Sequence, residues 1–161
     1  MAARIQFQKA APGVLNAMLQ LHQYLGQTGI EEQLLDLMYL RASQINGCAY
    51  CLDMHWKDLR ALGESEQKLS MLEAWREAPA YSDRERAALA WTEAVTLITE
   101  SHVPDDVYRH AREQFSEAEL ANLTLAVVSI NGWNRLNIAF RTEAGNYQPP
   151  PKRQAAGKPS H

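Results

Sequence analysis

The residues best suited to chemistry lie in one short stretch, Cys48-Ala49-Tyr50-Cys51-Leu52-Asp53-Met54-His55. On a helix, Cys48 and Cys51 stand at i,i+3, and His55 follows Cys51 by i,i+4, so all three share one face. The positive end of a helix dipole favours a thiolate. Thiols in such a Cys-x-x-Cys arrangement fall from about 8.5 into the range of roughly 3.5–7.5. A nucleophile is then available at neutral pH, and the neighbouring thiol can convert a sulfenic acid to a disulfide. Leu52, Leu59 and Leu62 extend the same stripe, which places this face inward.

These are the only two cysteines of the chain. A small disulfide-stapled domain would carry more, spread along its length. A bridge between residues this close removes little loop entropy, so chemistry accounts for the pair better than stability does. Other readings of the same residues stay open. The cysteines could be two buried structural thiols, and His55 a satisfied core histidine. A zinc site would need a fourth ligand beside Cys48, Cys51 and His55, and His22, His102 and His110 stand at no telling spacing. Covalent haem attachment would need a histidine directly after the second cysteine, where Leu52 stands. Asp36 lies between Leu35 and Leu37 in a strongly apolar run. A carboxylate there is costly unless paired or exposed. It belongs either to an exposed stripe with Glu32 or to a buried site facing the thiols.

The elements that must position these groups read as helices throughout. Segments are expected at Val14 to Leu25, Glu31 to Asn46 and Cys48 to Leu62, the last two parted by Gly47 and the last stopped by Gly63. A weaker segment runs from Ser65 to Trp75. Ser82-Asp83-Arg84-Glu85 and Ser116-Glu117-Ala118-Glu119 are capping boxes. They open a helix to about Thr99 and a long helix striped by Leu120, Leu123, Val127 and Ile130. Between them Pro104 can occupy the first turn of a short helix reaching Gln114. Alternating strand patterns are essentially absent, so the expected fold is all-α, a single compact helical domain. Leu35, Leu40 and Ile45-Asn46-Gly47 are echoed at the same spacing by Leu120, Leu125 and Ile130-Asn131-Gly132. The echo reads as a duplicated helical hairpin, with a chance match as the alternative. Trp133 and Leu136 replace the cysteines in the second copy. The domain is expected to span 1–147, and 148–161, which opens Gln148-Pro149-Pro150-Pro151, to be a flexible or partner-draped tail.

The 161 residues suffice for one domain with a sizeable core. The net charge of -3, with 16 basic residues among 19 acidic ones, argues against a nucleic-acid partner. No apolar run has the length of a membrane span or a signal peptide, which makes the cytoplasm the expected compartment.

The run Asp36-Leu-Met-Tyr-Leu-Arg41-Ala-Ser43-Gln44-Ile-Asn46-Gly47-Cys48-Ala-Tyr50-Cys51-Leu-Asp53-Met-His55 resembles the signature of the alkylhydroperoxidase D branch of the carboxymuconolactone decarboxylase-like superfamily. The later stretch Asn131-Gly-Trp133-Asn134-Arg135-Leu136-Asn137 is also similar to a family stretch, so the likeness covers roughly 15 to 145. It implies an all-α homo-oligomer, a homo-trimer or homo-hexamer, that reduces hydroperoxides. In that pattern Cys51 attacks the peroxide, Cys48 resolves it, and His55 and Asp36 handle protons. The reductant would be a thiol protein, lipoylated or thioredoxin-like; no cofactor or metal is implied. Two positions depart from the pattern. Asp36 stands where Glu is usual, and Tyr50 where the well-studied peroxidases carry His. The alternatives are a redox-sensing or scaffold protein without fast turnover, and a lactone decarboxylase-like enzyme.

Overall fold

The computed structural model describes residues 2–150. Among these are nine α-helices, one 3-10 turn at Leu72–Ala74, and no strand. In chain order the helices are α1 (Phe7–Ala10), α2 (Pro12–Leu25), α3 (Glu32–Asn46), α4 (Ala49–Leu62), α5 (Glu66–Ser70), α6 (Asp83–Thr96), α7 (Ile98–Ser101), α8 (Asp105–Gln114) and α9 (Glu117–Phe140). The expected all-α architecture is what the chain adopts.

The central element is α3, buried on nearly every side from Leu34 to Leu40 and again at Ala42 and Ser43. A helix apolar all round has no face to give to water, so neighbours must enclose it. It packs against α4, α6 and α9. One core cluster joins Leu34, Leu35, Met38 and Ala42 to Trp91, Leu123 and Val127. A second, beneath the other side of α3, gathers Leu37, Leu40, Leu59, Leu72 and Leu89. The half-buried Glu93 carboxylate ties the layers together, accepting from Arg41 Nε at 2.8 Å and from Trp75 Nε1 at 2.8 Å. These donors, with Arg76, hold its acidity above the ordinary value against the opposing effect of burial.

Both capping boxes form, with Ser82 and Ser116 accepting the Glu85 and Glu119 amides while each glutamate returns a bond to the cap. Pro12 opens α2 in its first turn, where its missing N–H costs nothing. Several expectations need correction. The helix expected to reach Thr99 leaves α geometry at Leu97, and α7 follows separately. The β-branched residues Val95, Thr96, Ile98 and Thr99 crowd there, which weakens helix continuation. The Ser65 to Trp75 segment divides into α5 and the 3-10 turn. Pro104 caps α8 from outside, in extended backbone. Leu62 is 37% exposed, so the inward stripe of α4 ends at Leu59.

The second half of the internal echo does not form a hairpin. Asn131 and Gly132 lie inside the uninterrupted 24-residue α9. Gly47 has φ +69° and ends α3, whereas Gly132 is a point of close approach. A Cβ at Gly132 would stand 3.0 Å from Met18 Cε on α2. The same dipeptide thus makes a turn in one copy and a helix contact in the other. The expected tail lies, beyond its first three residues, outside the described residues.

Candidate active site

The turn between α3 and α4 sets the site. Gly47 takes the left-handed conformation, with its N–H bonded to Gln44 O at 3.2 Å and the Cys48 N–H to Ser43 O at 3.1 Å. This pair of bonds is the Schellman closure of a helix end. Cys48 therefore completes the end of α3 and, in extended backbone, caps the start of α4. Its Sγ accepts the Cys51 N–H at 3.4 Å. The sequence expectation placed Cys48 as the first helical residue; it is instead the cap, which points its sulfur back at the first turn. The two cysteines are joined as a disulfide, with Cα atoms 5.4 Å apart. That separation lies within the ordinary range for a bridge. Both cysteines are 1% exposed.

His55 comes from the next turn of α4 and is buried. Its Nδ1 lies 3.0 Å from Asp36 Oδ1. Asp36 is itself buried, so the reading of an exposed stripe with Glu32 does not hold for it. An ionised carboxylate accepts only, so with Asp36 ionised Nδ1 is the donor of this bond, and Nε2 is the ring nitrogen turned away from the carboxylate. Nε2 is buried and has no hydrogen-bond partner. The Tyr39 ring packs on the imidazole, with centroids 5.1 Å apart. Burial, reinforced by the Asp36 charge, makes the Tyr39 phenol a much weaker acid, its pKa pushed well above the ordinary value.

Asp58, one turn beyond His55, joins the group. Asp36, His55 and Asp58 each offer a ligand atom within 4.8 Å of the others. A hard divalent cation could find oxygen and nitrogen donors here, but the Nδ1 position is already engaged by Asp36. His22, His102 and His110 are not part of this cluster. Burial and the negative charges of Asp36 and Glu32 push the Asp58 carboxyl up, against the opposing hydrogen bond from Tyr147. The Tyr147 hydroxyl donates to Asp58 Oδ1 at 2.7 Å. Lys57 Nζ donates to the Gly145 and Tyr147 carbonyls, and Asp53 Oδ2 accepts the Gly145 N–H at 3.2 Å. The chain after α9 is thereby laid back along α4, beside the acid–imidazole cluster.

On the other side, α9 presents three asparagines at successive i,i+3 steps. Asn46 Nδ2 donates to Asn131 Oδ1 at 3.0 Å and to Asn134 Oδ1 at 2.8 Å. Asn134 Nδ2 donates to Ser43 Oγ at 3.0 Å. Asn137 Nδ2 donates to Cys51 Sγ at 3.5 Å. The first two clamp the residues just before Cys48; the third reaches the sulfur. An open groove of about 620 Å³ runs past this point, with Cys48, Tyr50, Asn137, Ile138, Arg4 and Arg141 among its walls. The sequence had singled out Cys48, Cys51, His55 and Asp36; the fold pairs Cys48 with Cys51 at the start of α4 and pairs Asp36 of α3 with His55 one turn further along α4. It had not weighed Asn46, Asn134, Asn137, Asp58 or Tyr147 as site residues. The asparagines carried a readable signal, since three amides three residues apart on an apolar helix ask for polar partners.

The arrangement can cycle between dithiol and disulfide beside a buried, oriented imidazole. The carboxymuconolactone decarboxylase family matches residues 12–94, which include the whole Asp36 to His55 run. The uncharacterized protein YdfG of Bacillus subtilis is 39% identical over 146 residues, covering 91% of this chain and 99% of that protein. The crystal structure of a protein of unknown function from Agrobacterium tumefaciens, named a putative antioxidant defence protein AhpD, is similar at 42% identity. It superposes with a TM-score of 0.87 over 91% of this chain and all of that one. The alkylhydroperoxidase AhpD core of a peroxidase-related protein from Ralstonia eutropha shares the fold, with a TM-score of 0.76 at 17% identity over 86% of this chain and 74% of that one.

Proposed function

The chain belongs to the carboxymuconolactone decarboxylase family, in its alkylhydroperoxidase D branch, and from that premise we propose that it is a thiol-dependent hydroperoxide reductase. The observation that carries the reading is the Cys48–Cys51 pair in bonding contact, one turn from a buried imidazole oriented by Asp36. The Cys51 thiolate attacks one peroxide oxygen; the S–O bond forms as the O–O bond breaks. The departing alkoxide takes a proton, for which His55 Nε2 is the donor once protonated. Cys48 then attacks the Cys51 sulfenic acid, the S–S bond forms and water leaves. The two thiols have supplied two electrons and two protons, converting ROOH to ROH and water. A thiol reductant protein, lipoylated or thioredoxin-like, restores the dithiol by exchange at the disulfide.

Among the described residues no helix is long and apolar enough to cross a membrane. Val14, Leu19 and Tyr24 on α2 and Val128 and Ile138 on α9 are exposed apolar side chains. They suit burial against further copies in a homo-trimer or homo-hexamer, where a ring shares such surface among protomers. The reading is tested by steady peroxide consumption in the presence of a recycling dithiol. Peroxide should also remove two hydrogens per monomer by mass, without covalent dimers. One oxidation event per chain with no turnover, under any dithiol supplied, would replace the enzyme with a redox sensor. Stable sulfonic acid on one cysteine with the other reduced would overturn the dithiol cycle.

A further inference from the structure

We propose that Asn137 is a further catalytic group, whose side-chain N–H, delivered from α9, holds negative charge on Cys51 Sγ. The inference rests on the dithiol reading of the site but not on the identity of the oxidant.

The geometry is direct. Asn137 Nδ2 lies 3.5 Å from Cys51 Sγ, an ordinary length for N–H donation to sulfur, and Asn137 is 5% exposed. In a disulfide the sulfur is a weak acceptor. A thiolate at the same place is a full negative charge, and hydrogen bonds to charged groups are about twice as strong as those between neutral ones. The contact therefore gains most when Cys51 is ionised, which is the form that attacks an oxidant and the form that leaves when the disulfide is opened. An interaction stronger in the reacting state than in the resting state accelerates the step.

The amide is also pre-positioned. Asn131 and Asn134 fix α9 against Asn46 and Ser43 through three hydrogen bonds. Asn137 follows on the same stripe, so its approach to the sulfur is set by rigid helices. The backbone carbonyl of Asn137 accepts the Thr142 N–H at 2.9 Å, which ties down the end of α9. Charge near Cys51 otherwise comes from Cys48 at the cap of α4, from His55 on α4 and from Asp36 on α3, reached through His55. Arg4 and Arg141 stand on the groove beside Cys48. From α9 the group on the sulfur is an uncharged amide, so it neither competes for the proton nor titrates. Cys48 has a different donor arrangement, since its sulfur accepts the Cys51 backbone N–H. Removing the Asn137 amide should therefore act on Cys51 selectively.

The test uses the full, reduced protein and iodoacetamide, an uncharged alkylating probe. The pH midpoint of alkylation is read separately for Cys48 and Cys51 by peptide mass spectrometry. Asn137→Ala should raise the Cys51 midpoint by about one to two pH units, the shift expected when one hydrogen bond to a charged group is lost. Asn137→Asp, nearly the same shape but without the donor, should raise it at least as far. The Cys48 midpoint should move much less. If both variants fold and the Cys51 midpoint stays put, or both cysteines move equally, the proposal is wrong. Should either variant fail to fold, the parent protein still decides. The Asn137 side-chain amide proton, followed by NMR, should titrate with the Cys51 midpoint, and a resonance that ignores Cys51 ionisation overturns the proposal. Failure of the parent to consume peroxide would sink the proposed function and leave these midpoints unaffected.

Discussion

Substituting His55 by alanine is the sharpest test of the proton relay. The imidazole is 5% exposed, and Asp36 Oδ1 at 3.0 Å leaves Nε2 as its reactive nitrogen, without a partner of its own. General acid–base assistance of this kind is worth about 10²–10⁴-fold, or about 3–5 kcal/mol of barrier. The same substitution strips Asp36 of a buried hydrogen-bond partner, at about 1–3 kcal/mol of stability. His55→Ala should therefore remain folded at moderate temperature while its thiols oxidise a hundredfold or more slowly. Asp36→Asn isolates the charge. An amide oxygen can still accept the Nδ1 proton, so the tautomer survives, but the imidazolium loses its counter-charge. Oxidation should therefore slow less than in His55→Ala, because the imidazole itself remains. The assay is stopped-flow oxidation of the reduced protein by an organic hydroperoxide, followed by tryptophan fluorescence, with melting temperatures measured in parallel. Parental oxidation rates for His55→Ala between about pH 6 and pH 9, spanning ordinary imidazole titration, would make His55 a core residue and refute the relay.

Asn134 is fully buried between Ser43 and Asn46, so Asn134→Ala should cost about 1–3 kcal/mol by leaving the buried Ser43 hydroxyl without its donor, read by urea unfolding. Gly47→Ala meets no neighbouring atom but keeps φ +69°. It should cost about 1–2 kcal/mol from backbone alone, seen as a lowered melting temperature. Hydrogen bonds from Arg84 and from the Ser116 cap hold the Glu119 carboxyl down at about 2, against an ordinary 4.5. A depressed carboxylate stabilises the fold above its unfolded value, and that contribution disappears as pH falls from 4.5 towards about 2. Glu119→Gln should accordingly flatten the acid-unfolding profile in that window.

Local chemistry and periodicity in the chain already determine much of this protein. Ser82 and Ser116 announce their helices because a capping box is closed by residues three apart. The Cys48, Cys51 and His55 grouping is equally local, since about two helical turns, from the cap of α4 onward, bring it together. Gly47 is legible for the same reason: only a left-handed residue ends α3 there without strain. What periodicity alone left undecided was every feature that depends on a partner from elsewhere in the chain. Asp36 could be read as exposed or buried until α4 brought His55 to its carboxylate. Asn131-Gly132 matches Asn46-Gly47 in sequence, yet α2 packs against the glycine and α9 runs on as one helix. The approach of Asn137 to Cys51, across 86 residues of sequence, and of Tyr147 to Asp58, across 89, follows from how three helices and the chain end pack. Hydrogen bonds between such distant groups exist only once the apolar faces of α3, α4 and α9 have been buried against one another.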